Sequence, residues 1–250
     1  MTAELVIGEV VELWRYPVGS VGGEAIEQLS VTGDGVIGDR VFRVVRHGSI
    51  AALAGAHVHG FASLLEVRAF FNDVGTEKYV SVTLPDGKTF RADDAMAGEM
   101  LSSYLGKSVE LLPARNSMES LESKLAIPAM PVAPLHIVST ASLNELAGQL
   151  RGSVVTPERF RPNIVISTAD IGGRPERSWV GRGLRIGGAM MTITENVRRC
   201  PMTSLAQPGL PRDPDIYRTI LQRMGKEFGV YATPLASSTI CRGDKVVLIS

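Results

Sequence analysis

Cysteine is almost absent from this chain: Cys200 and Cys241 are the only two among 250 residues. Two thiols form at most one disulfide, and they cannot supply the four ligands of an iron–sulfur cluster or a four-thiolate zinc site. Any functional cysteine therefore acts singly. Net charge is absent too. Lys plus Arg and Asp plus Glu balance at 26 each, so no overall positive field points to nucleic acid or an anionic membrane surface. An anion site, if there is one, has to be local. Apolar runs stay well short of the roughly 18 residues needed to cross a bilayer, and Glu4 interrupts the start before a signal-like stretch forms. The expectation is a cytoplasmic protein with no membrane span and no nucleic-acid partner. Also missing are a Walker lysine loop and a G-x-S-x-G elbow, which removes two usual sequence signs of nucleotide binding and serine hydrolysis.

What is present is a chain that is 44% hydrophobic, enough for a full core. Apolar runs rich in Val, Ile and Leu predict strands at 5–16, 41–46, 64–71, 79–84 and 108–112, separated by turn sequences such as Pro85-Asp86-Gly87. One helix interrupts them. Asp93 or Asp94 caps it, Ala95, Met96, Met100, Leu101 and Leu105 give it a core face, and Gly106 stops it. The proline-bearing segment that follows has no clear period and serves as a connector. Beyond it, strands are expected at 135–138, 163–167, 184–186, 190–196, 229–233 and 245–249. Two further helices are expected. One is capped by Ser139 or Thr140 and runs to about Leu150, with Glu145 helping at its start; the other spans about 215–227, with Pro214 in its first turn. Many short strands and few helices predict a mainly β (α+β) fold with a barrel or sandwich core and helices outside it. The expected division is an amino-terminal β-barrel-like subdomain at 1–115, a connector at 116–133 and a core domain at 134–250.

Cys200 follows Arg198 and Arg199 and stands where a strand gives way to Pro201. A lone intracellular cysteine is most often a small buried hydrophobe. Two neighbouring guanidinium groups shift the balance, because positive charge favours the thiolate, the form that binds soft metals. Cys241 lacks that setting and is expected to be structural. In Arg159-Phe160-Arg161 the two arginines would point to opposite faces of an extended chain, so one can face a pocket while the other pairs internally. Asp39-Arg40 suggests a local ion pair, and Ser20 between Gly19 and Gly22 a turn. His57 and His59 have no third ligand nearby and are expected to be loop residues. His136, inside an apolar strand, is expected to be a satisfied core histidine.

The order of these motifs resembles the MOSC family, named for the carboxyl-terminal domain of molybdenum cofactor sulfurase and including amidoxime-reducing enzymes and small bacterial proteins. The resemblance rests on Tyr16-Pro17-Val18-Gly19-Ser20, Gly38-Asp39-Arg40-Val41-Phe42, the run from Pro134 to Leu143, Arg159 to Ile166, Trp179, Arg199-Cys200-Pro201-Met202-Thr203, Phe228-Gly229-Val230-Tyr231 and Gly243-Asp244-Lys245-Val246. It implies a MOSC-type barrel core, molybdenum cofactor (molybdopterin) bound with Cys200 as the metal ligand, and pterin and phosphate contacts from Ser20, Arg40, Thr140, Ala141, Arg161, Asn163 and Arg199. Backbone amides at the helix start after Ser139 would add a phosphate site. Three departures concern the amino-terminal contacts. Gly19 stands where the amidoxime reducers usually carry Lys, the run Ala51 to His57 replaces a basic residue and a proline, and Arg177-Ser178 replaces acidic residues before Trp179.

The implied activity is that of a molybdenum-dependent oxidoreductase reducing a small N-hydroxylated or other N–O substrate. Its electrons would come from a separate flavin or iron–sulfur reductase. The alternatives are a non-catalytic carrier of the cofactor or its sulfurated form, and a repurposed MOSC scaffold that acts on a small biosynthetic intermediate without molybdenum. No pyridoxal-phosphate domain is present, which excludes a full sulfurase.

Overall fold

A computed structural model describes residues 4–49, 52–53, 55–114, 135–168 and 172–249, with the backbone alone for 55–59. The amino-terminal half contains β1 (Glu4–Arg15), β2 (Val18–Gly19), β3 (Glu24–Ile26), β4 (Gln28–Thr32), β5 (Gly35–Val36), β6 (Phe42–Arg46), a 3-10 segment at Gly55–Glu66, β7 (Arg68–Val74), β8 (Glu77–Thr83), β9 (Thr89–Arg91), α1 (Ala97–Leu105) and β10 (Val109–Pro113). The second half contains β11 (Leu135–Ser139), α2 (Thr140–Gly148), β12 (Ile164–Ser167), β13 (Gly183–Ile186), β14 (Ala189–Arg198), α3 (Pro214–Arg223), β15 (Glu227–Pro234), β16 (Ser238–Cys241) and β17 (Lys245–Ile249).

Seven strands close into a barrel in the order β12-β11-β15-β14-β13-β17-β1, with β1 pairing back onto β12. Closure removes the exposed edges that an open sheet would leave. The expected β-barrel core with few helices is what the chain forms. Alternation along the strands separates two cores. Leu135, Ile137, Ile164 and Ile166 point into the barrel with Leu184, Met191, Val230 and Leu248, while Val138 and Val165 point outward against Leu146 of α2, Ile216 and Ile220 of α3, and Phe160. Because β11 and β12 are covered on both faces, they are apolar throughout, as a doubly buried strand has to be. Each such side chain contributes about 1.5–3 kcal/mol.

β1 serves both neighbours by switching partners along its length. Glu4 to Glu9 pair with β17 and Glu9 to Leu13 with β12, with register shifts between Val6 and Gly8 and between Val10 and Glu12. A side chain at Gly8 is excluded, since its Cβ would lie 1.9 Å from the Ser167 carbonyl oxygen. The first strand belongs to the barrel built from the second half, and Leu29, Val31 and Val36 of β4 and β5 join its core. A second core in the amino-terminal half brings Val44, Leu64, Val82 and Phe90 against Leu101 of α1.

Several local expectations are revised. Leu64–Glu66 end the 3-10 segment rather than begin a strand; Leu64 and Leu65 are both buried, which suits a helical turn and not a strand with one face in water. Met96 is exposed, because α1 starts one residue later and buries Ala97 and Leu101. The last helix ends at Arg223, before Gly225 and Lys226, both at positive φ. The connector at 116–133 lies outside the described residues.

Candidate functional site

The site forms where the ends of β1 and β12 meet the loop after β14. Tyr16 directly follows β1 and is buried, 2% exposed. Over its ring lie two guanidinium groups, Arg161 at 4.2 Å and Arg40 at 5.5 Å from the centroid. Arg161 donates through Nη1 to the Val21 carbonyl at 2.6 Å, and Arg40 approaches the Arg161 carbonyl at 3.4 Å and Asn163 Oδ1 at 3.5 Å. Arg40 is also paired with Asp39, as the sequence suggested, and Asp39 accepts from the Tyr16 amide at 2.7 Å. A third guanidinium, Arg199, reaches in from the end of β14 and donates to the Phe160 carbonyl at 2.8 Å. Arg198 stays exposed, so only one of the two arginines beside Cys200 turns inward.

Three expected site residues, Ser20, Arg40 and Arg161, have positive φ (64°, 51° and 55°), and they make up three of the four such non-glycine residues described. This left-handed backbone costs roughly 1–2 kcal/mol per residue without a glycine, and such strain clusters where a fold holds side chains for a purpose.

The charges are crowded. Burial, with Arg40 and Arg199 nearby, pulls the Arg161 guanidinium down to about 10. Burial also lowers Arg199, while the Cys200 thiolate and the Tyr231 phenol work the other way. Arg40 is different, because Asp39 and the neighbouring phenols outweigh its burial and raise it. Burial drives the Tyr16 phenol upward, so it stays protonated and acts as a donor. Three donors of this cluster are buried without a partner, Arg161 Nη2, Arg199 Nε and the Tyr16 hydroxyl, as are Nε2 of the neighbouring His136 and Oε2 of Glu158 on the cleft wall. Each costs about 1–3 kcal/mol if left unsatisfied, more where charged. The three cluster atoms can all donate, and an anion is one complement that would engage them.

The remaining expected residues divide. Asn163 is fully buried and already engaged, accepting from the His136 amide at 3.1 Å and donating to the Trp14 carbonyl at 3.3 Å; it braces the site from behind. Ser20 is buried and donates to the Leu53 carbonyl. Thr140 and Ala141 begin α2, at the far end of β11 from His136, and no described hydrogen bond ties them to the arginines. That helix start carries its own acceptors. Ser139 Oγ accepts from the Ser142 amide at 3.0 Å, and the hydroxyls of Ser139 (2.6 Å) and Ser142 both donate to Glu176, which is 0% exposed. Glu145 instead accepts from Gln149 on the next turn. A carboxylate of the chain itself thus engages the two serine hydroxyls at the helix start.

Cys200 is half-buried and not disulfide-bonded. Its carbonyl accepts from the amide and hydroxyl of Thr203 as the chain turns through Pro201–Ser204. That turn is held by Arg159, fully buried, whose guanidinium donates to the carbonyls of Val154, Thr203, Leu205 and Pro211. The two arginines spaced by one residue therefore split, Arg161 to the cluster and Arg159 inward. His136 is a core histidine, 3% exposed and held well below 6.5 by burial and then by Arg199. The side chains of His57 and His59 lie outside the described residues, and no group of three metal-binding side chains occurs among the described ones. Tyr16 and Glu176 were missed from sequence as functional side chains. Tyr16 sits in a quoted motif, but nothing in the sequence marks its hydroxyl as unpartnered.

The chain's sequence matches the model of the MOSC N-terminal beta barrel domain over residues 7–91 and that of the MOSC domain over residues 125–247. A comparison with curated proteins finds no match. Among solved structures, the YuaD protein from Bacillus subtilis is similar at 14% identity and a TM-score of 0.52, covering 100% of this chain and 99% of that one; this is a likeness of fold. YiiM from Geobacillus stearothermophilus is 19% identical over 47% of this chain and 55% of its own, with a TM-score of 0.37. YiiM from Escherichia coli is 17% identical over 48% and 56%, with the same TM-score. With both family models matched in order and the closed barrel they require in place, the chain belongs to the MOSC domain family.

Proposed function

We propose that the chain binds molybdenum cofactor, with the phosphate on the Arg161–Arg199–Tyr16 cluster and the Cys200 thiolate as the protein's ligand to the metal, and that it works in the cytoplasm as an oxidoreductase on N-hydroxylated or related N–O substrates. The observation that carries this reading is the set of three buried, unpartnered donors around Tyr16. A phosphate satisfies all three and relieves the mutual repulsion of the guanidinium groups. A soft thiolate on a loop fixed by Arg159 fits the ligand set of the metal.

When bound, the cofactor would supply the redox chemistry, a two-electron reduction that takes the substrate oxygen away as water. The chain's own parts are narrower. Arg161 and Arg199 hold the anion, Asp39 keeps Arg40 charged beside them, and Tyr16 donates a hydrogen bond without ionising. Arg159 keeps Cys200 in register with the cluster. Two cysteines leave no room for an internal iron–sulfur relay, so the electrons are drawn from a separate flavin or iron–sulfur reductase. The cleft that reaches Tyr16 and Arg161 has only about 80 Å³, against roughly 300–1,000 Å³ for a small-molecule site. It suits a phosphate, and the bulkier part of the cofactor would lie outward, toward the Cys200 loop.

The test is titration of purified protein with inorganic phosphate and pyrophosphate, followed by thermal unfolding. Satisfying the cluster should raise the melting temperature in wild type and much less in Arg161→Ala. An equal rise in both would place the anion elsewhere.

A further inference from the structure

Beside the phosphate-sized cleft runs a larger groove of about 460 Å³ between the β7–β8 sheet and the loop after Cys200. The two share Arg68, Gln207 and Pro208 as common wall. The groove's floor is mostly apolar, with Phe70, Leu84 and Pro85. Its polar contribution is unusual in two respects. Arg68 is exposed and has no ion pair or side-chain hydrogen bond among the described residues, whereas the groove's acid, Glu66, already accepts from Tyr104 at 3.0 Å. Gln207 has a buried amide nitrogen without a partner. The wall separating groove and cleft thus offers two donors, the Arg68 guanidinium and the Gln207 amide.

We infer that this groove is the substrate subsite and that it selects substrates carrying a carboxylate on a flat apolar body, with the carboxylate on Arg68 and Gln207 and the body against Phe70, Leu84 and Pro85. A guanidinium and an amide side by side match a carboxylate's two oxygens, and the apolar floor supplies contact area for a ring or short chain. The groove takes Gln207 and Pro208 from the loop that follows Cys200, and Met202 and Leu205 of the same stretch pack with Leu65 of the neighbouring cleft wall. The inference rests on the proposed function for the nature of the reacting group, but the carboxylate preference is a property of binding and does not require the cofactor.

The experiment measures binding of benzamidoxime and its 4-carboxylate by calorimetry, with saturating inorganic phosphate present to fill the arginine cluster. Wild type should bind the carboxylate at least about 10-fold more tightly, the low end for a charge-assisted contact because Arg68 is open to solvent. Arg68→Gln should reduce that preference to within about 3-fold while leaving the neutral compound's affinity unchanged. Equal binding of the two compounds by wild type would overturn the inference, and so would a preference that survives Arg68→Gln. A preference lost in Arg161→Ala but kept in Arg68→Gln would assign the carboxylate to the cluster and overturn it as well. Loss of molybdenum content, by contrast, would sink the proposed activity and leave the binding result standing.

Discussion

At the scale of single residues, the site is defined by what its side chains lack. Tyr16 gives the cleanest handle, because its hydroxyl is buried and unpartnered while its ring supports two guanidinium groups. Tyr16→Phe keeps the ring and removes the orphan. In protein free of anions this change should be neutral or stabilising by up to about 1–3 kcal/mol, the cost of a buried unsatisfied donor, and it should shrink the stabilisation given by added phosphate. A hydroxyl serving only the fold would show the reverse: lower stability and an unchanged phosphate response. Cys200→Ser keeps the shape of the turn, since the Cys200 carbonyl and not its thiol holds Thr203, but it replaces a soft ligand by a hard, protonated one. The variant should fold, retain part of its pterin, and lose the thiolate-to-molybdenum absorption with nearly all turnover. Wild-type absorption and activity in that variant would remove Cys200 from the metal.

At the scale of elements, two contacts set how the strands and helices meet. Glu176 holds the start of α2 through Ser139 and Ser142 in a fully buried position. Glu176→Gln keeps the size but loses the charge, and should cost about 1.5–3 kcal/mol in denaturant unfolding, as expected for hydrogen bonds to a charged group; a change under about 0.5 kcal/mol would show that the carboxylate is not needed there. Gly229, at φ +80°, lets β15 pass β11, since a Cβ would lie 2.7 Å from the Ile137 carbonyl oxygen and 2.4 Å from His136 Nε2. The barrel strands and their cores were legible in the sequence because a doubly covered strand must be continuously apolar, as Ile164-Val165-Ile166 is. The short strands β2 to β5 were not, because two to five residues carry too little pattern to separate from turns. Spacing alone favoured a solvated surface pair for Arg159 and Arg161, and the structure instead buries both, Arg159 inward and Arg161 at the cluster. The role of Glu176 was not, because a buried acid is recognised only once its two serine partners are brought to it from 34 and 37 residues away. For the same reason Thr140, Ala141 and Asn163 could be read as cofactor contacts from sequence, while the folded chain spends Asn163 on the His136 amide and the Trp14 carbonyl.

At the scale of the whole molecule, His136 couples the barrel to pH. Burial, followed by Arg199, holds its folded pKa well below the ordinary 6.5. Above 6.5 the histidine is neutral in both states and contributes no pH dependence. Below 6.5 the unfolded chain takes up a proton that the folded barrel refuses, so stability falls with a slope of up to about 1.4 kcal/mol per pH unit. His136→Gln should flatten this part of the profile, measured by denaturant unfolding between pH 4.5 and 7.5 (roughly the span either side of the ordinary value); an unchanged slope would mean that other groups set it.

The proposed function comes down to one claim, that this chain holds molybdenum cofactor on Arg161, Arg199 and Tyr16 with Cys200 at the metal. The most direct measurement is molybdenum by elemental analysis, together with pterin by oxidative extraction, on protein purified from a host that makes the cofactor. The account predicts about one molybdenum and one pterin per chain, since it assigns one cluster and one thiolate ligand to the cofactor. Folded protein that carries neither molybdenum nor pterin, while still being stabilised by simple phosphate, would contradict it.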